Sequence, residues 1–147
     1  YNSIECAGVV ALAESLANHP AIEDLSVRDT YMEDVAAESL AKHLPSKSCV
    51  SLNASRNNIS DAGAAALLSR PVPFRRLDLS SNELSPAFVR ALVGNDWNAA
   101  LLPEDLVLSN QDGAGRAKIE RVRGQWTTVG DRSARLHAED PYGWEAR

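Results

Sequence analysis

The sequence predicts an α/β fold in which short strands alternate with helices and the units stack side by side. Three observations predict it. First, a strand-like motif recurs with apolar residues at positions 1, 4, 6 and 11 and a polar residue at 9. Phe74-x-x-Leu77-x-Leu79-x-x-Asn82-x-Leu84 is its cleanest copy. Cys49-x-x-Leu52-x-Ala54-x-x-Asn57-x-Ile59 and Ile22-x-x-Leu25-x-Val27-x-x-Thr30-x-Met32 follow it, and Leu106-x-Leu108-x-x-Gln111 is an incomplete last copy. Second, a helical motif recurs in phase with the first. Asn57-Asn58-Ile59-Ser60-Asp61-Ala62-Gly63-Ala64-Ala65-Ala66-Leu67 matches Asn2-Ser3-Ile4-Glu5-Cys6-Ala7-Gly8-Val9-Val10-Ala11-Leu12 at its Ile, Ala-Gly and Ala-Leu positions. Further copies run through Val35-Ala36 with Ser39-Leu40, and through Ala87-Phe88 with Ala91-Leu92. The ninth positions fall at residues 2, 30, 57, 82 and 111, a period of about 25 to 29 residues. Third, the chain has 147 residues, 44% of them hydrophobic but only 5% aromatic, so its core must be aliphatic and alanine-rich.

Each element follows from local chemistry. The chain opens at the Asn2 turn of a unit whose strand is missing, which implies further units upstream. The first helix then ends near Asn18-His19-Pro20 and the second near Lys42-His43-Leu44, where His19 and His43 suit a helix C-terminus. In the strands, residues alternate: Leu77 and Leu79 point one way, and Arg76, Asp78 and Ser80 the other. In the helices, Ala62, Ala66 and Leu67 share a face, and small residues allow a close approach to the strands. Ser60 or Asp61 is placed to cap one helix, and Ser85 followed by Pro86 the next. At the ninth position a carboxamide can donate and accept at once, so Asn57 and Asn82 can satisfy adjacent turns. Thr30 and Gln111 depart from Asn, and a looser turn is expected at Thr30. No unit can bury its apolar face alone; stacking neighbours buries it, with parallel strands on one side and helices on the other.

These motifs resemble the leucine-rich repeat family, whose pattern is L-x-x-L-x-L-x-x-N-x-L. The long period and the Ala-Gly-x-x-Ala-Leu segment are similar to its ribonuclease-inhibitor-like subclass. The resemblance implies a leucine-rich repeat solenoid, a horseshoe segment with concave parallel strands and outer helices, over residues 1–111. The alanine- and arginine-rich usage also resembles repeat-bearing bacterial type III effectors of the GALA class. That resemblance implies secretion into a host cytoplasm, a role in virulence and recruitment of a host protein.

After Gln111 the motif stops. Asp112-Gly113-Ala114-Gly115 reads as a connector, and Ile119–Val129 as a hairpin or short edge strand. Residues 112–147 are expected to form a C-terminal cap or tail, with Ala134–Arg147 poorly ordered. A second reading makes them a recognition segment or the start of another domain.

Composition excludes several functions. The chain carries 15 Lys and Arg against 20 Asp and Glu, a net charge of -5, whereas nucleic-acid binding needs a basic footprint. The longest apolar runs, such as Gly63–Leu68, are far short of the roughly 18 residues of a membrane span. Cys6 and Cys49 form no Cys-x-x-Cys pair, which suits a reducing cytoplasmic compartment. Cys49 takes a core position; Cys6, aligned with Asp61, is a candidate exposed thiol. His19, His43 and His137 do not cluster as metal ligands. Asp131–Asp140 contains Ser, His and Asp, but neighbours in sequence do not make a catalytic triad. Gly113-x-Gly115 is too short for a phosphate loop. No catalytic residue, metal or cofactor is therefore expected.

The remaining candidate is the polar side of the strands. Its outward residues are Asp24, Ser26 and Arg28, then Asn53, Ser55 and Arg56, then Arg76, Asp78 and Ser80, with Glu23, Asp29, Ser51 and Arg75 beside them. A parallel sheet of stacked units offers a broad platform for a protein partner. Arg28, Arg56 and Arg76 are the expected anchors, because arginine is favoured at interfaces. No small-molecule substrate is evident. Two other readings are a substrate-holding part of an enzyme such as a ubiquitin ligase, and a regulator of a small GTPase.

Overall fold

The computed structural model describes residues 4–19, 22–45, 51–94, 97–111 and 118–129. The expectations for Asn2, Cys49, the 112–115 connector and residues 130–147 lie outside them. In chain order the elements are α1 (Glu5–Leu16), β1 (Asp24–Ser26), α2 (Asp34–His43), β2 (Ser51–Asn53), α3 (Asp61–Leu68), β3 (Arg76–Asp78) and α4 (Pro86–Val93). A single 3-10 turn (Ala99–Leu101) leads to β4 (Asp105–Val107), β5 (Lys118–Val122) and β6 (Gln125–Val129). The six strands form one sheet in chain order. β1 to β4 are parallel, and β5 and β6 are added antiparallel. The fold is α/β with a mixed sheet.

The register aligns Leu25, Leu52, Leu77 and Leu106 across adjacent strands. Leu52, Leu77 and Leu106 are buried, whereas Leu25 is half-buried because β1 is an edge strand. Val27, Ala54, Leu79 and Leu108 form a second buried row, and Met32, Ile59 and Leu84 a third. α1 packs on α2 and α2 on α3, and alanines and Gly63 line these contacts. Phe74, the largest fully buried side chain among the described residues, lies under the Arg70 guanidinium, 4.2 Å from the ring centroid. Arg70 is 3% exposed, and its Nη2 donates to the carbonyls of Leu44 (3.3 Å) and Pro45 (3.1 Å). A cation is tolerated there because carbonyls and an aromatic face replace its water.

Polar side chains lock the turns after the strands. Asn57 Oδ1 accepts from the amides of Thr30 (3.1 Å) and Met32 (2.9 Å), and its Nδ2 donates to the carbonyls of Val27 (2.9 Å) and Ala54 (3.1 Å). Asn82 accepts from the Ile59 amide (3.0 Å) and donates to Ala54 and Leu79 (both 3.0 Å). Gln111 does the same one unit later, accepting from Leu84 (3.2 Å) and donating to Leu79 (2.8 Å) and Leu108 (3.1 Å). Its departure from Asn is therefore absorbed by one extra methylene. Thr30 keeps only a hydroxyl bond to Val27 O (2.9 Å) and a longer one to Asn57 (3.3 Å). Its turn also differs: Tyr31, the next residue, has φ 56°. In every described copy the residue before the ninth position is left-handed, namely Asp29, Arg56, Ser81 and Asn110 with φ of 55–58°.

The helix starts correct one expectation. Ser60 occupies the N-cap of α3 but makes no cap bond with its own side chain. Asp34, in the first turn of α2, supplies the acceptor instead. It takes bonds from Ser60 N (2.8 Å), Ser60 Oγ (2.5 Å) and Gly63 N (3.1 Å). Asp61 likewise accepts from Ser85 N (2.7 Å) and Oγ (2.6 Å), and so braces α4 rather than its own helix. Ser85 also caps α4 directly, accepting from Phe88 N at 3.1 Å, with Pro86 in the first turn. At the C-termini, the His43 ring Nδ1 lies 3.0 Å from Ser39 O. His19 is exposed and meets Leu16 O through its backbone amide (2.9 Å) rather than its ring.

The stretch after the parallel strands is a hairpin. Arg123 (φ 48°) and Gly124 (φ 79°) join Val122 to Gln125, the two positive φ values of a type I′ turn.

Candidate functional site

The leucine side of the sheet is buried in the core with the helices, and among the described residues the other side is exposed or half-buried. Two rows of side chains cross the open side. Asp24, Ser51, Arg76 and Asp105 form one; Ser26, Asn53, Asp78, Val107 and Glu120 form the other. The rows exist because alternation turns every second residue of a strand outward while its leucine neighbour turns in. Between β1 and β3 they enclose a shallow groove of about 350 Å³, lined by Asp24, Ser26, Ser51, Asn53, Arg76 and Asp78 with Leu25 and Leu52 at its floor.

The structure thus gathers Asp24, Ser26, Asn53, Arg76 and Asp78 at one place. Asp24, Ser26 and Arg76 are exposed; Asn53 and Asp78 are half-buried. The other four expected residues lie past the strand ends. Arg28 and Arg56 are exposed there, Arg56 on its left-handed turn. Ser55 and Ser80 do not present free hydroxyls. Ser55 is 3% exposed, and its Oγ and N donate to Asn53 Oδ1 at 2.7 and 3.1 Å. Ser80 Oγ and N donate to Asp78 Oδ1 at 2.6 and 2.9 Å. These local turns hold one oxygen of Asn53 and of Asp78 and leave the rest of each polar group facing the groove. Glu23 and Arg75 stand exposed beside it, and Asp29 is half-buried.

Three members of the open face were not anticipated. Asp105 accepts from Arg123 N at 3.0 Å, Glu120 pairs with Lys118 at 3.5 Å, and Val107 is half-buried between them. Asp105 belongs to the last incomplete copy of the motif, so its outward alternation could have been read. Glu120 could not, because antiparallel pairing of β5 has no counterpart in the repeated pattern. Tyr31 was missed as well. It sits 58% exposed on the turn after β1, at an unconstrained position of the motif.

A second cavity of about 400 Å³ lies at the start of α1 and α2, lined by Glu5, Cys6, Ala7, Tyr31 and Glu33. Cys6 is a free, half-buried thiol there. Among the described residues no three His, Cys, Asp or Glu side chains approach closely enough to hold a metal ion. No described helix is long and apolar enough to cross a membrane. The open face carries both signs of charge: Arg76 shares a cross-strand row with Asp24 and Asp105, and Asp78 lies two residues along the same strand.

A scan against protein-family models gives no match, and a search of curated proteins gives none either.

Proposed function

We propose that this chain is a leucine-rich repeat module of the long, ribonuclease-inhibitor-like kind, and that it binds a partner protein on the open face of its sheet. The reading rests on the recurrent sequence motif together with the four parallel strands that hold its leucines in one row. The observation that carries the binding function is the groove across β1, β2 and β3, where a guanidinium, two carboxylates and an amide converge on a leucine floor. Such a surface has an apolar centre and polar, orienting groups around it, the anatomy of a protein interface rather than of a small-molecule cavity. Arg76 acts as the anchor inside the groove, and Arg28 and Arg56 act from its rim. The resemblance to type III effectors extends the proposal to a host protein as the partner, met in a reducing cytoplasm.

Affinity capture from candidate lysates followed by mass spectrometry tests the reading. Arg56→Glu combined with Arg76→Glu is expected to weaken capture of the principal partner by at least about tenfold. Thermal unfolding should stay close to that of the parent chain, because both side chains are exposed. Undiminished capture by the double variant would put the site elsewhere.

A further inference from the structure

The two edges of the sheet differ in a way that points to a partner. β1 is three residues long, begins at Asp24, and is flanked by Glu23, Arg28 and Asp29. β6 at the other edge is five residues long, Gln125-Trp126-Thr127-Thr128-Val129, with no charge, proline or glycine. Its composition is that of a strand built to be paired.

The direction of its main-chain groups follows from the neighbouring ladder. The Leu108 amide donates to Ile119 O at 2.8 Å, so Ile119 and Arg121 turn their main-chain groups toward β4, and Lys118, Glu120 and Val122 turn theirs toward β6. Glu120 stands opposite Thr127 and Val122 opposite Gln125. The main-chain groups of Gln125, Thr127 and Val129 are therefore spent on β5. Those of Trp126 and Thr128 face outward, and among the described residues nothing pairs with them.

We propose that this edge is a homodimer interface in which β6 pairs antiparallel with β6 of a second copy. An edge strand that pairs antiparallel is complementary to a second copy of itself under a two-fold axis. With the axis beside Thr127, Trp126 of each copy stands opposite Thr128 of the other, and each such pair exchanges two main-chain hydrogen bonds. Thr127 then faces its own counterpart. Charge favours the same place. Two copies of net charge -5 repel, but β6 is neutral and the adjacent Lys118 and Glu120 compensate each other at 3.5 Å. A contact of this size belongs to the weak, concentration-dependent class.

The test is sedimentation of the full chain from micromolar to millimolar concentration. The parent chain is expected to pass from monomer to dimer. Thr127→Lys and Thr127→Glu each place like charges opposite one another and should weaken self-association by about fivefold or more. An equimolar mixture of the two variants should restore association. Hydrogen exchange supplies the second measurement. The amides of Trp126 and Thr128 should gain protection as concentration rises, while those of Gln125 and Thr127 stay protected throughout. A parent chain that remains monomeric, variants that associate like the parent, or a mixture that fails to associate would each overturn the proposal. So would protection of Trp126 and Thr128 that is independent of concentration, because another part of the same chain would then cover the edge.

Discussion

Asn57 shows how much one side chain can hold. It is 7% exposed, and its carboxamide serves two adjacent turns with both of its polar atoms. An aspartate lacks the donor and a threonine lacks the reach to do both. Asn57→Ala is expected to cost about 3 kcal/mol, the upper end for a buried group whose partners lose their bonds. Thr30→Ala removes chiefly the bond to Val27 O and should cost about 1 kcal/mol. Urea unfolding of the two variants checks the ratio; equal losses would mean that water replaces the Asn57 bonds. The identity of these rungs was legible because polarity at a fixed phase within an apolar pattern is informative. The burial of Arg70 was not, because its guanidinium is sheltered by carbonyls and a ring that only folding brings together. Ser55 was misjudged for a related reason. Alternation places it outward, but its hydroxyl folds back on Asn53.

The helix starts are held between elements rather than within them. Asp34 belongs to α2 yet accepts from the third residue of α3, so the brace exists only when the two helices are packed. Gly63 makes that approach possible. A methyl group at Gly63 would overlap Asp34 Oδ1 and lie 2.9 Å from Ile59 Cγ2. Helix propensity alone favours Ala over Gly by about 1 kcal/mol. Gly63→Ala should nonetheless destabilise the protein, by roughly 1–3 kcal/mol, as overpacking does. Combined with Asp34→Ala, the two losses should add to less than their sum, since the oxygen that clashes is gone. A double-mutant cycle in denaturant measures this coupling; strict additivity would mean that α3 shifts away instead. From sequence, the capping residues Ser60, Asp61 and Ser85 were all recognisable, and Ser85 acts as expected. The direction of the Asp bonds was hidden because propensity rules describe single helices. Likewise Ile119–Val129 could be read as a hairpin or a short edge strand, and the pairing of β5 with β4 made it a hairpin joined to the sheet.

At the scale of the whole molecule, burial grades from the interior of the sheet to its edge. Leu77 is wholly buried between β2 and β4, whereas Leu25 is half-buried on β1. Leu77→Ala should cost about 3–5 kcal/mol and Leu25→Ala roughly 1–2 kcal/mol, because a cavity forms only where neighbours close around the site. Chemical denaturation of both variants decides the matter, and a loss at Leu25 as large as that at Leu77 would contradict the open edge. The groove belongs to this scale as well. Its residues come from three strands about 25 residues apart in sequence and meet only because the leucines fix the register. The phase of the motif determined the strand order, the leucine row and the side of each strand that lies open, since those follow from local spacing and the need to bury one face. Tertiary structure alone decided which polar groups stay available, which helix each aspartate braces and how the last strands join the sheet. Those outcomes depend on hydrogen bonds between segments far apart in the chain, and local periodicity carries no record of such partners.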